Sequence, residues 1–196
     1  MEARLLRIFQ GEIVTQCEFV LLAAEQLREA ESFDVFETFN PGDPATDLAE
    51  ASRASGRSMT ALWSALQTIL VSAANISKLL WGNKGKREEE RRELRDSLEI
   101  DDTSCLRSPD LRNDFEHFDD RLRTWFASGQ NHVYAGRTVW DGPIANVPIP
   151  EFGTYNQKTG EVVFWKNSAN VRHIVAEVAR LLPIAEREAT KPVPVE

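Results

Sequence analysis

The stretch Ser58-Met59-Thr60-Ala61-Leu62-Trp63-Ser64-Ala65-Leu66-Gln67-Thr68-Ile69-Leu70-Val71-Ser72-Ala73-Ala74-Asn75-Ile76-Ser77 contains no charged residue. Leu62, Leu66, Ile69, Ala73, Ile76 and Leu80 recur at steps of three and four and form one helical stripe. Trp63, Leu70 and Ala74 form a second. A helix apolar on two sides either crosses a bilayer or runs through the centre of a bundle. Thr60, Ser64, Gln67, Thr68, Ser72 and Asn75 interrupt it at every turn, so the reading is a core helix over about 57–81, with no membrane span. Trp81-Gly82-Asn83 supplies its stop signal.

Working outward, Leu6, Phe9, Ile13, Cys17, Val20, Ala24 and Leu27 trace one face of a first helix, which Gly11 weakens. Residues 32–56 contain Asn40-Pro41-Gly42-Asp43-Pro44, which reads as a connector with at most one short helix after Pro44, pinned by Phe33, Phe36 and Phe39. Lys86 to Leu98 alternates acids and bases and reads as an exposed helix held by neighbouring ion pairs. Ser108-Pro109 opens a fourth helix that runs to about Phe126. Residues 127–150, rich in Gly, Asn and Pro, read as a surface loop. A small β-hairpin is expected within about 152–166, with strands at Thr154–Asn156 and Glu161–Trp165 around Gln157-Lys158-Thr159-Gly160, packed through Phe152, Phe164 and Trp165. The last helix turns Val171, Ile174, Val178, Leu181 and Ala185 inward, and Pro183 is expected to bend or fray it. The fold class is therefore all-α: an up-and-down bundle of four to five helices with a hairpin inserted before the last, one domain over 1–190 and a disordered tail from Lys191.

The chain has 196 residues and a formal net charge of −8, which excludes a broad basic platform for nucleic acid and limits any RNA contact to a local one. Its two cysteines, Cys17 and Cys105, lack zinc or redox spacing. The start, Met1-Glu2-Ala3-Arg4, lacks the apolar core of a secretory signal, so the expected location is the cytoplasm. There is no phosphate-cradling glycine loop, no GxSxG elbow and no HExxH, and no cofactor or metal is expected.

Chemistry is most legible on the fourth helix. Leu111, Phe115, Phe118, Leu122 and Trp125 form its inward stripe. At about 100° per residue, Arg112 stands about 100° from the stripe centre, Asn113 about 160°, and His117 about 120° on the other side. His117 is therefore not a core histidine, and the bland reading left to it is an ordinary surface residue. His132 and His173 belong to no constellation. Asp114 and Asp120 stand three residues either side of His117, within reach to hold its tautomer or favour its protonated form. With Glu116 they make only an unspecific metal set, more simply explained by ion pairs to Arg121 and Arg123. Asn75 and Ser72 on the core helix are further polar groups within reach of a cleft, although local backbone hydrogen bonds usually explain such residues.

The segment Arg112-Asn113-Asp114-Phe115-Glu116-His117, continuing through Phe118-Asp119-Asp120-Arg121-Leu122, resembles the Arg-x4-His signature of the HEPN superfamily, helical domains that include RNases and nucleotide-binding modules. The resemblance is specific over residues 108–126 and architectural elsewhere. It implies metal-independent endoribonuclease activity in a homodimer whose two motif helices face one another, as in toxin and defence proteins. His117 is then the general base, Arg112 the stabiliser of phosphate charge and Asn113 an orienting group, with Asp114, Asp120 and Asn75 in support. Asp119 stands where toxins of this kind silenced by a nucleotidyltransferase often carry Tyr, so that regulator is not expected here. The alternatives are a non-catalytic HEPN-like module binding a nucleotide or a protein, and an unrelated helical protein.

Overall fold

A computed structural model describes residues 1–32, 48–82, 86–107, 118–128, 137–140, 153–164 and 167–193. The described chain is mostly helical, with a small sheet before the last helix. The first helix, α1, spans Ala3–Glu31. The core helix, α2, spans Leu48–Trp81, some nine residues longer at its start than the spacing predicts. Ser52, Arg53, Ser55 and Gly56 carry no apolar stripe, which is why the sequence hides that extension. The expected connector and short helix thus partly merge into α2, while Phe33, Phe36, Phe39 and the Pro41–Pro44 turn lie outside the described residues. By length and composition Ser52–Trp81 is apolar enough to cross a membrane, yet 56% of its most apolar window is buried inside the fold. At its end Gly82 adopts φ +66° and its amide bonds Lys78 O at 2.9 Å, the left-handed stop expected there.

The two long helices are antiparallel. Ser58 Oγ of α2 donates to Ala30 O at 3.1 Å near the end of α1, while Asn75 Nδ2 donates to Gln16 Oε1 at 3.2 Å near its middle. Ile13, Cys17 and Val20 of α1 and Leu66, Ile69 and Ile76 of α2 are wholly buried in one apolar cluster. The last helix, α6, spans Val171–Ala189 and closes the other side of α1 with Val178, Leu181 and Ala185, also wholly buried. It continues through the exposed Pro183 instead of ending there. Beyond it, the Lys191 carbonyl accepts Arg7 Nε at 3.1 Å and its ammonium lies 2.6 Å from Glu188, while residues 194–196 of the expected tail lie outside the described residues.

Lys86 to Leu98 corrects the sequence reading. It forms two short helices, α3 (Lys86–Glu90) and α4 (Arg92–Ser97), broken at Arg91, whose guanidinium lies 3.7 Å over the Phe9 ring. Leu94 and Leu98, four residues apart, are fully buried, and Arg95 is 8% exposed. A charge count hides these two leucines, which alone pull one edge of the run into the core. The segment then makes a 3-10 turn at Cys105–Arg107. A further helix, α5, spans Phe118–Ala127, and residues 108–117 before it lie outside the described residues.

The expected hairpin is present as β2 (Gly153–Asn156) and β3 (Glu161–Phe164), antiparallel with Tyr155 opposite Val162. Two further strands complete a four-stranded sheet: β1 (Thr138–Trp140), parallel to β2, and β4 (Asn167–Asn170), antiparallel to β3. β1 lies in the stretch read as loop. The row Val139, Tyr155, Val162, Ala169 crosses the sheet in register and faces the core, as does Phe164. Phe152 and Trp165 lie outside the described residues. Tyr155 Oη donates to Glu31 Oε1 at 2.6 Å, fixing the sheet to the end of α1. Burial and this carboxylate push the phenol above its ordinary pKa, so it stays protonated.

Two residues with positive φ have opposite fits. Gly160, at φ +73°, closes the hairpin turn, and an added Cβ would stand 2.7 Å from Arg172 Cγ. Glu99, at φ 52°, ends α4 in a Schellman arrangement, with Ile100 N bonded to Arg95 O and Glu99 N to Asp96 O. Gly160→Ala is therefore expected to lower unfolding free energy by about 1–2 kcal/mol, whereas Glu99→Gly should be neutral or stabilising. Urea denaturation of both variants checks this, and equal destabilisation by the two would contradict it.

Candidate functional site

Arg112, Asn113, Asp114 and His117 lie outside the described residues. The structure describes the chain again from Phe118, in α5. There Leu122 and Trp125 are half-buried against the core, while Asp119, Asp120, Arg123, Thr124 and Phe126 are exposed. This is the phase that the five-residue stripe requires. The Asp120 carbonyl accepts Thr124 Oγ1 at 2.8 Å.

Asn75 has a partner of its own. It donates to Gln16, which is 8% exposed, and Gln16 Nε2 donates in turn to Glu12 Oε1 at 2.9 Å. This Asn75–Gln16–Glu12 ladder satisfies polar groups at the α1–α2 seam, where an unmade hydrogen bond would cost about 1–3 kcal/mol. The amide that the sequence offers to a cleft thus holds two helices together. Ser72 is buried on the same helix.

The charged features that sequence reading missed lie where the chain passes from α4 toward the motif helix. Arg95 Nη1 donates to Leu80 O at 2.8 Å and Glu88 O at 3.0 Å, so a buried cation caps the C-terminal end of α2. Asp102 accepts Trp81 Nε1 at 2.7 Å and lies 3.2 Å from Arg107, which also pairs with Glu88 at 2.8 Å. Ser77 Oγ adds a bond to Arg107 O at 3.2 Å. The only sequence clue to this cluster was the density of arginine and acid, and spacing alone does not say which of them turn inward.

Two open clefts of about 670 and 680 Å³ flank the loop 99–104. The second is lined by Asp101, Ser104, Cys105, His173, Glu177 and Arg180. Glu177 accepts Arg180 at 3.1 Å and Ser104 Oγ at 2.9 Å, and these bonds hold its carboxyl below the ordinary range. The Thr103 hydroxyl and amide do the same for Asp101. Cys105 Sγ rests 3.6 Å from the His173 carbonyl, and burial, with Glu177, raises its thiol pKa. Glu177 and Asp101 are pushed toward the ionised, paired form and the Cys105 thiol toward the protonated form, so none of these three is a base near neutrality or a thiolate nucleophile. These clefts are salt-linked surfaces. Among the described residues, no group of three or more His, Cys, Asp or Glu gathers as a metal set. No protein-family model, curated protein or solved structure matches the chain.

The two thiols provide a check. Burial, reinforced by Glu18 and Glu186, pushes Cys17 up to about 12, whereas Cys105 is exposed. In native protein a thiol reagent should label Cys105 alone, faster as pH rises, and reach Cys17 only on unfolding. Native labelling of Cys17 in a Cys105→Ser variant would contradict the packing described.

Proposed function

We propose that the chain is a HEPN-like, metal-independent endoribonuclease built on a bundle of four to five helices, acting as a cytoplasmic homodimer in defence or stress control. The observation that carries the reading is the Arg112-Asn113-…-His117 signature, followed directly in the chain by α5, whose turns keep the inward phase of Leu122 and Trp125. That phase supports an outward direction for the guanidinium and imidazole, toward a groove completed by a second subunit.

The chemistry follows from the residue types. An imidazole near its unperturbed pKa of about 6.5 takes the proton from a ribose 2′-OH, a role worth typically ~10² to 10⁴ in rate. The 2′-oxygen then attacks the adjacent phosphorus, the bond to the 5′-oxygen breaks, and that oxygen leaves with a proton. The products are a 2′,3′-cyclic phosphate and a 5′-hydroxyl. The Arg112 fork stabilises charge developing on the phosphate oxygens, and Asn113 orients its helical neighbour His117. Asp114 and Asp120 tune that histidine through its tautomer and charge.

The net charge of −8 favours a second reading, a non-catalytic module of the same kind that binds a nucleotide or a protein. Incubating purified protein with RNA in EDTA separates the two. The nuclease reading expects cleavage ending in cyclic phosphates, with His117→Ala and Arg112→Ala each reducing the rate by about 10²-fold or more. Cleavage unchanged in both variants, or a broad RNA panel left intact, would overturn it.

A further inference from the structure

The inward stripe of α1 accounts for only part of its apolar surface. Leu5, Ile8, Phe19 and Leu22 are 42%, 61%, 47% and 56% exposed. Together with Glu12 and Thr15 they follow steps of three, four, three, four and three, a heptad seam running beside the buried one. Its order is palindromic. Reversal about the midpoint between Ile13 and Val14 maps Leu5 onto Leu22, Ile8 onto Phe19 and Glu12 onto Thr15. A seam of that kind matches an antiparallel copy of itself across a two-fold axis, as a self-complementary interface requires.

Two further observations point to the same occupant. In such a pairing the flanking positions bring Arg4 of one copy beside the other copy's Glu25, twice, and both residues are exposed. Near the crossing point stands Gly11, a residue that costs about 1 kcal/mol relative to Ala inside a helix. Its own helix backbone and chain neighbours aside, no atom of the described residues lies within 4 Å of where its Cβ would stand, so the described fold gives this glycine no packing reason. A second helix backbone crossing closely there would.

We infer that α1 is a self-docking surface on which a second copy of this chain packs antiparallel through Leu5, Ile8, Phe19 and Leu22, with paired Arg4–Glu25 contacts at the rim. The nuclease reading also calls for a second subunit, but at the Arg112-to-His117 segment; the α1 surface is a separate interface, and the α1 variants report on it alone. Light scattering coupled to size exclusion tests it across a concentration series, with circular dichroism to confirm folding. Wild type is expected to dimerise, and Ile8→Glu and Phe19→Glu to raise the dissociation constant by about 100-fold or more, because each buries an unpaired charge at the seam. Arg4→Glu and Glu25→Arg should each weaken the dimer by roughly tenfold, and the double exchange should restore it. A wild-type monomer at every concentration overturns the inference. So does a dimer indifferent to Ile8→Glu and Phe19→Glu, which would assign association to another surface.

Discussion

The seam between α1 and α2 is the constraint on which the rest of the structure leans. Two antiparallel helices of 29 and 34 residues bury their stripes against each other, and α6 can close the far side only because α1 presents a wide apolar arc. Each fully buried Leu, Ile or Val side chain contributes roughly 1.5–3 kcal/mol relative to exposure. The polar ladder from Asn75 through Gln16 to Glu12 adds direction to that burial, since its hydrogen bonds form in one register of the two helices. Apolar contact alone tolerates sliding; a satisfied amide pair does not.

At either end of the seam a polar anchor fixes the neighbouring element. At the end of α1, Tyr155 binds Glu31, and Arg172 reaches the Lys158 carbonyl at 2.8 Å, joining the hairpin turn to the start of α6. At the end of α2, Arg95, Asp102 and Arg107 hold the 99–107 segment against the last turn. The chain leaves this anchor at Arg107, five residues before Arg112 in sequence. The buried guanidinium of Arg95 is structural, satisfied by the Leu80 and Glu88 carbonyls.

Much of the fold was legible because its signals are local. The stripes of Ile13–Val20, Leu62–Ile76 and Val171–Ala185, the stop at Gly82 and the hairpin around Gln157–Gly160 each depend on a few neighbouring residues. The features that were not legible depend on distant partners. Leu94 and Leu98 lie in a run dominated by charge, and their burial is set by the core they meet. β1 pairs with β2 across more than a dozen residues, and no spacing within Thr138–Trp140 announces it. Of the candidate site, Asn75 was read as within reach of a cleft, with local backbone hydrogen bonds the simpler account; its partner is Gln16 on another element, which no local spacing announces. The half-burial of Leu122 and Trp125 obeys the spacing of their own helix, and so was visible beforehand.

The two acidic clefts and the cysteines were the natural competitors for an active site. In the second of the clefts Glu177 and Asp101 are held ionised by their hydrogen bonds and the Cys105 thiol is held protonated, and the proposed chemistry is placed instead on the Arg112-to-His117 signature. The feature that distinguishes that chemistry from any other hydrolysis of a phosphodiester is its nucleophile, the substrate's own 2′-hydroxyl. The most direct measurement compares a short oligoribonucleotide with the same strand carrying 2′-deoxyribose at every position. The account predicts cleavage of the first and none of the second; cleavage of both at similar rates, or of neither, would contradict it.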